Sequence, residues 1–527
     1  MGQSFSQKTP TKRRQLLDTG WPGLFREQIL PSIPVNKVSR FFDPSMGRPS
    51  KELYAILGAL ILQQSFDLTD EETVQQFAFN IQWHYALNIT EESDNAKYIC
   101  PKTLWSCREV VANNALEDDI FSSGTGQLAQ EFNVNSDQQR IDSVYIKSNM
   151  RRLGRIGIFS TTIHKFLVNL KRQHPGFMTA VDKQILDKYL SKTSMKCFSR
   201  VKPSDSRKTL TEVSKDLFDL HEQFKDKSTI AAMYSFKLLA RVLHEQCNLT
   251  DDADNPVELK KPKEIVSDSL QNPSDPEAAY SGHKGQGYQV QIMETYSSEE
   301  TQEETDDVRL ITHVQVEQAH KSDAEALMPA IKSAEASGLK TKEVLADSLY
   351  GSDDNCQQAE DNDVELVAPA MGATTKDKFS LADFQINEKG RVLACPLGHP
   401  PVKVKKKKRN SVGFDSRICD HCPGLAQCPV KKGEKYHYLR FTDKDVRMAR
   451  RRQYEQTDEF KDRYRWRAGA EAVMSEYDRR TGSKRLRVRG LKAVKYCATL
   501  KALAVNIFRA AAARAARMAR QQALCEA

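Results

Sequence analysis

The chain has 527 residues, enough for three or four domains at about 150 residues each. A hydrophobic fraction of 39% supports real cores, and 28% charged residues describe a well-solvated surface. No stretch reaches the roughly 20 apolar residues needed to span a bilayer, and no apolar signal core opens the chain. A cytoplasmic protein, neither inserted in a membrane nor secreted, is therefore expected. Eleven cysteines in a chain of this kind argue against a disulfide framework. The net charge of +9 is modest and unevenly spread. Acid dominates from Glu299 to Asp307 and base dominates from Arg479 onward, which points to a polyanionic partner for the C-terminal part.

The opening Met1-Gly2-Gln3-Ser4-Phe5-Ser6 fits a loose myristoylation pattern, and Lys12-Arg13-Arg14 suits a flexible basic arm equally well. Residues 20 to 130 read as helical. Gly47-Arg48-Pro49-Ser50 is a turn and helix start, followed by Leu53, Ile56, Leu57, Leu60 and Ile61 at helical spacing. A second amphipathic helix is predicted over Thr69 to Phe79, with Asp70, Glu71 and Glu72 in its first turn. Short helices broken in this way suit either a helix-turn-helix DNA binder or a helical bundle with no DNA role.

From Arg140 the pattern turns strand-like through Ile141-Asp142-Ser143-Val144-Tyr145-Ile146. A long helical stretch follows over roughly 155 to 250, with Phe159, Ile163, Phe166, Leu167 and Leu170 on one stripe, and Asp251 to Pro276 reads as a linker. Strands are predicted over Gly287 to Tyr296 and Val308 to Val316, flanking an acidic hairpin loop, and a helix over Ser322 to Gly338. Val344 to Asp347 and Val364 to Ala368 are short apolar strands around another helix. The order makes a mixed sheet with helices on its faces, and places strand-end carboxylates at its rim, where ligands sit in open α/β folds.

Asp142 and Asp347 each lie in or at the end of a predicted strand, and Tyr464, Arg467 and Glu471 share one face of a predicted helix at i, i+3 and i+7. Three such carboxylates suit two Mg²⁺ or Mn²⁺ ions, hard cations that bind phosphate oxygens and activate a water or a 3′-hydroxyl. A lone aspartate would be read as a solvated surface carboxylate, and Arg467 alone as an ion-pair partner of Glu471. Cys395, Cys419, Cys422 and Cys428, the middle two forming a Cys-x2-Cys knuckle, offer four thiolates for structural Zn²⁺, with His399 or His421 as substitutes for one. Unligated thiols are the alternative. Lys403, Lys405 to Lys408, Arg409, Lys431 and Lys432 in the same segment read as a phosphate-contacting surface or a solvated loop. Lys484, Arg485, Arg487, Arg489, Lys492 and Lys495 add a second basic run.

The chain resembles bacterial insertion-sequence transposases of the DDE type. The resemblance is carried by Gly47-Arg48-Pro49, Pro101-Lys-Thr-Leu104, Arg140-Ile-Asp142-Ser143 with Asn149, Asp275-Pro-Glu-Ala278 with Gly287-Tyr288, and Ala346-Asp347-Ser-Leu-Tyr350-Gly351. Tyr464, Arg467 and Glu471 match the Y-(2)-R-(3)-E-(6)-K motif, with Arg489-Gly490 and Asn506 continuing the pattern; the final lysine is replaced by Asp478. The resemblance implies an α/β fold. Its parts would be an N-terminal helical, DNA-binding domain (1–135), the first catalytic strand (136–150), a helical insertion and linker (151–270), an RNase H-like mixed sheet flanked by helices (271–370), a zinc-ribbon-like, cysteine-rich basic β insertion (371–455), and the glutamate helix with basic C-terminal helices (456–527).

The resemblance also implies Asp142, Asp347 and Glu471 as ligands of two Mg²⁺ (or Mn²⁺) ions. Tyr464 and Arg467 would touch the DNA end, and Arg479, Arg480, Arg487, Arg489 and Lys492 the duplex. The expected function is cut-and-paste transposition on double-stranded DNA by a nucleoid-associated homodimer with no membrane partner. A non-catalytic DNA-binding relative and a nuclease without strand transfer are the alternatives. Hairpin-forming relatives stack a flipped base on an aromatic of the insertion. Here Trp21, Trp83, Trp105 and Trp466 all lie outside it, which leaves Phe414, Tyr436, Tyr438 or Phe441, or else Trp466 from the glutamate helix, for that role.

Overall fold

The computed structural model describes residues 11–42, 52–191, 198, 201–252, 255–298, 308–372, 377–406 and 409–526. The predicted turn at Gly47 to Ser50, the myristoylation pattern at Met1 to Ser6, and most of the acidic loop lie outside the described residues, as do Lys407 and Lys408. None of the described helices is long and apolar enough to cross a membrane.

Six strands form the central sheet: β1 (Gln138–Lys147), β2 (Ala279–Ser281), β3 (Gly285–Thr295), β4 (Ile311–Gln318), β5 (Glu343–Leu345) and β6 (Glu365–Val367). Strand β1 lies antiparallel to β3 and parallel to β5; β3 also pairs antiparallel with β2 and β4, and β5 pairs parallel with β6. Three long antiparallel strands followed by two short parallel ones, with helices packed on the sheet, make the RNase H-like core expected from the order of elements. The helix after β4 is shorter than its sequence pattern, a 3₁₀ turn (Asp323–Ala326) leading into Leu327–Ala336. It ends where Gly338 takes a positive φ of 75° and the Leu339 N–H returns to the Ala334 carbonyl.

Polar alternation along β3 does not mean a wet face. Gln289 and Gln291 are both fully buried. Their amides are satisfied inside, Gln289 by Lys284 and Gln291 by Asp323, so the strand is covered on both sides.

The N-terminal helices do not build a core of their own. Leu53–Ser65 is buried nearly all round. Its residues share one apolar cluster with Val144, Ile146 and Ile292 of the sheet and with Leu500 and Leu503 of the C-terminal helix Leu491–Glu526. Gly124 lies so close to that helix that a Cβ would meet Leu503 Cδ1 at 2.9 Å. Asn506, fully buried, bonds both the N–H and the carbonyl of Ile311 at 2.7 and 2.8 Å and reaches Thr125 at 3.1 Å. The second predicted N-terminal helix is present as Asp70–Phe79, and it opens on a capping box: Thr69 caps it and Glu72 returns to the Thr69 N–H.

The insertion between β1 and β2 has a separate core. The stripe residues of helix Arg155–Gln173, Phe159, Ile163, Phe166, Leu167 and Leu170, pack against Leu217 and Phe224 of Ser206–Phe224 and Leu239 of Tyr234–Gln246. The predicted linker carries structure of its own, a small hairpin pairing Cys247–Leu249 with Val257–Leu259. Residues 403–441 form a three-stranded ribbon, Lys403–Lys406, Asn410–Asp415 and Tyr436–Phe441, over a small core that includes Phe384, Val412, Phe414 and Leu439.

Helix Leu116–Phe132 buries Glu117, which is 1% exposed. Burial pushes its carboxyl from 4.5 up to about 7, outweighing Lys495 at 3.8 Å. The folded protein therefore binds this proton more tightly than the unfolded chain, so the stabilisation is full below about 4.5 and is lost as pH rises to about 7. Replacing Glu117 with Gln is expected to flatten the stability–pH curve across that window. Urea unfolding at a series of pH values checks it.

Candidate active site at the sheet rim

Arg140 of β1 pairs with Leu345 of β5, and Asp142 and Asp347 each stand two residues beyond that pair. Parallel register therefore sets the two aspartates side by side at the sheet rim. Asp142 is held by the Ser143 N–H at 2.8 Å, and Asp347 accepts the Leu349 N–H at 2.8 Å, the turn that follows β5. Burial pushes the Asp142 carboxyl above its ordinary range. Arg467 and the Ser143 N–H oppose that push, while Asp347 and Asp323 add to it.

The loop after Asp347 has no freedom to drift. A Cβ on Gly351 would meet the Pro369 carbonyl at 1.9 Å, so the chain can pass there only as glycine. Arg451, from helix Asp443–Tyr454, donates to the carbonyls of Gly351 (2.9 Å) and Ala368 (3.1 Å), clamping the loop to the segment after β6.

The helix predicted to carry Tyr464, Arg467 and Glu471 together is interrupted. Asp458–Tyr464 ends, Arg465–Ala468 is a 3₁₀ turn, and Gly469–Thr481 starts afresh. The cause lies in β1: buried Arg140 donates to the Trp466 carbonyl at 2.8 Å and lies where a Cβ on Gly469 would be, 1.9 Å from Arg140 Nη1. Arg140 is itself fixed by Glu294 of β3 at 2.7 Å. Glu294 in turn accepts from Arg509 at 2.8 Å, and Arg509 bonds Glu476 of the Gly469–Thr481 helix at 2.7 Å.

The break brings Arg467 onto Asp142, Nη2 to Oδ2 at 2.8 Å. Tyr464 stacks on Phe460 with ring centroids 5.2 Å apart. Burial pushes its hydroxyl pKa up; Arg467 opposes this and the charges of Asp347 and Asp142 reinforce it. Glu471 stands apart: its side chain is 77% exposed and its nearest cation is Arg467 at 3.7 Å. Asp142, Asp347, Tyr464 and Arg467 are thus gathered, whereas the Glu471 carboxylate faces solvent. Among the described residues no three His, Cys, Asp or Glu side chains converge as metal ligands would.

Behind the aspartates lies a layer with no motif in the sequence. Lys284 donates to Ser143 Oγ (3.0 Å), Gln289 (2.8 Å) and Asp323 (3.2 Å), and Gln291 donates to Asp323 at 2.8 Å while accepting from the Tyr350 hydroxyl. A buried aspartate beside the site is thereby neutralised by an ammonium. The only hint in the sequence is a lysine just before β3 and polar residues within it.

Of the basic residues, Arg479, Arg489 and Lys492 are exposed. Arg480 pairs with Glu476 at 2.7 Å, and Arg487 with Asp67 at 3.0 Å. Asp478, at the place of the motif's lysine, accepts the Lys484 N–H at 3.0 Å and so braces the turn after the helix. Arg479 and Arg480 are the cations next to it.

Cys395, Cys419, Cys422 and Cys428 line one small cavity with Phe379, Phe414 and Leu425. Burial pushes the Cys419 thiol up to about 11, and the other three thiols add to the shift. The knuckle is a tight turn, with the Cys422 N–H on the Cys419 carbonyl at 3.1 Å. All four are free cysteines.

Two family models match the chain. Residues 394–511 match the transposase DDE domain, and residues 19–109 match a transposase domain (DUF772). The first spans the cysteines, Tyr464, Arg467 and Glu471; Asp142 and Asp347 lie outside both. No curated protein matches the chain.

Gly469→Ala is expected to push Arg140 off the Trp466 carbonyl and lower stability by about 2 kcal/mol or more, the cost of overpacking combined with a disturbed buried ion pair. A shift of the urea midpoint with unchanged slope measures it; an unchanged midpoint would show that the 3₁₀ turn does not need Arg140.

Proposed function

The chain belongs to the DDE transposases of the insertion-element type, and on that premise we propose that it performs cut-and-paste transposition with Asp142, Asp347 and Glu471 as its metal ligands. DNA is the substrate this family implies. The observation that carries the reading is the parallel register of β1 and β5, which sets Asp142 beside Asp347 at a rim also faced by Tyr464 and Arg467. Hard oxygen donors of this kind suit Mg²⁺ or Mn²⁺. Two such ions, when bound, supply an activated water or 3′-hydroxyl and stabilise the leaving oxygen of an in-line displacement.

The chain's own residues do the rest. Asp142 and Asp347 would hold the ions from the sheet, and Glu471, in the first turn of its helix and exposed, would close on them from the far side. Tyr464 and Arg467 would grip the phosphate next to the scissile bond. Exposed Arg479, Arg489 and Lys492, with Arg480 and Arg487 released from surface ion pairs, would track the duplex, making binding strongly salt-dependent. Hydrolysis at each element end leaves a 3′-hydroxyl that then attacks target DNA, and two ends held together call for two copies of the chain.

For the ribbon we propose a structural Zn²⁺ held by Cys395, Cys419, Cys422 and Cys428. The four thiols share a cavity lined by apolar side chains, and the segment's own core is small, so ligation would contribute folding energy there. Metal analysis of the purified protein is expected to find one zinc per chain. Cys422→Ser should lose that zinc and lower the melting temperature; equal zinc content in both proteins would remove the assignment.

The catalytic reading is tested on a labelled duplex carrying the flanking ends of the gene's own element. With Mg²⁺, wild type should cut at the ends and yield joined product with target DNA. Asp347→Ala should lose cleavage by roughly a hundredfold or more, since even residues behind the ligands typically cost 10- to 100-fold. Binding without cleavage by either protein would leave a DNA-binding relative, and cleavage without joining a nuclease.

A further inference from the structure

Arg467 does more in this fold than the sequence spacing requires. Its Nη2 lies 2.8 Å from Asp142 Oδ2 and its Nη1 3.7 Å from Glu471 Oε1, so one guanidinium spans two of the three carboxylates assigned to the metal ions. The side chain is only 18% exposed, and its Nε is buried without a partner. A guanidinium cannot shed its proton in a protein, so neutralisation does not release it from Asp142, whereas exchange of that carboxylate for another anion does.

We propose that Arg467 is the resident counter-ion of the metal site, and that a DNA phosphate must draw it off Asp142 before that carboxylate accepts a divalent cation. The inference rests on the reading of Asp142 as a metal ligand. A phosphodiester offers the same planar fork two parallel charge-assisted bonds, and the unused Nε gives the bidentate grip a further donor. Arg467 is thus a positioning residue that exchanges one cation for another at Asp142. Metal and DNA then bind with positive coupling, and linkage requires each to tighten the other by the same factor.

The test uses the full chain and Mn²⁺ alone, with free Mn²⁺ followed by electron paramagnetic resonance, so no turnover is needed. Arg467→Gln is expected to bind Mn²⁺ about tenfold tighter than wild type without DNA, a coupling of ordinary size. Arg467→Lys, which keeps the cation, should stay near wild type, and Asp142→Asn placed on Arg467→Gln should remove the gain. In the wild type, a duplex carrying the element ends should raise Mn²⁺ affinity by a similar factor, a measurement that needs no variant to fold. Arg467→Gln binding no tighter than wild type while Asp142→Asn still weakens binding would overturn the counter-ion role. So would a wild-type affinity that DNA leaves unchanged. If Asp142→Asn alters Mn²⁺ binding in no background, the metal-ligand reading itself fails, and this inference with it.

Discussion

Glu294 holds two arginines at once, and the geometry of the rim depends on that choice. It is 2% exposed, accepts Arg140 at 2.7 Å from its own sheet and Arg509 at 2.8 Å from the C-terminal helix. One arginine already neutralises this buried carboxylate; the second leaves an excess positive charge in a medium that screens poorly, and Glu476 balances it. Arg509 and Arg480 together hold the Glu476 carboxyl below its ordinary range despite its burial. The chain of charges Arg140, Glu294, Arg509, Glu476 and Arg480 therefore crosses from the sheet to the Gly469–Thr481 helix. Its near end, Arg140, also breaks the preceding helix at Trp466. The angle at which Arg467 meets Asp142 is set by this network rather than by the helix that carries Arg467.

The two aspartates are placed differently from the glutamate. Asp142 and Asp347 come from paired strands, whose register cannot slip by one residue without turning every buried side chain outward. Glu471 comes from the first turn of a helix entered through a 3₁₀ segment, and it faces solvent. A pair fixed by the sheet and an exposed carboxylate apart from it would suit the proposed site, completed when its substrate arrives.

Much of this was legible in the residues. Strand order, the apolar stripe of the insertion and the acidic first turn after Thr69 follow from periodicity and local chemistry. Asp347 does follow the end of its strand, whereas Asp142 lies inside β1 because pairing with β3 extends that strand to Lys147. The break at residues 465–468 was not, because Arg-Trp-Arg-Ala is an ordinary helical string, and the group that breaks it lies 326 residues away. Burial of Gln289 and Gln291 was hidden for a related reason: alternation of polar and apolar residues signals a half-wet strand unless one knows that Lys284 and Asp323 meet the polar side. The segmentation into an N-terminal part and a C-terminal part did not reveal that Leu57, Ile292 and Leu503 share one core. Asn506 reads as one more motif residue, yet it is the bond between the C-terminal helix and the Ile311 backbone at the start of β4.

The helix Leu491–Glu526 packs on the N-terminal helices, β4 and the Gly469–Thr481 helix alike. Residues 491–513 are synthesised after everything they hold together. Until they leave the ribosome, Leu57, Leu60 and Leu128 lack the C-terminal part of their shared core, and Glu294 lacks its second arginine. The nascent chain therefore carries an incompletely covered apolar core through most of its translation. The rim carboxylates gain their final geometry only as the last helix docks, so a ribosome that stalls late would release a chain holding both aspartates but lacking the helix that completes the charge network behind them.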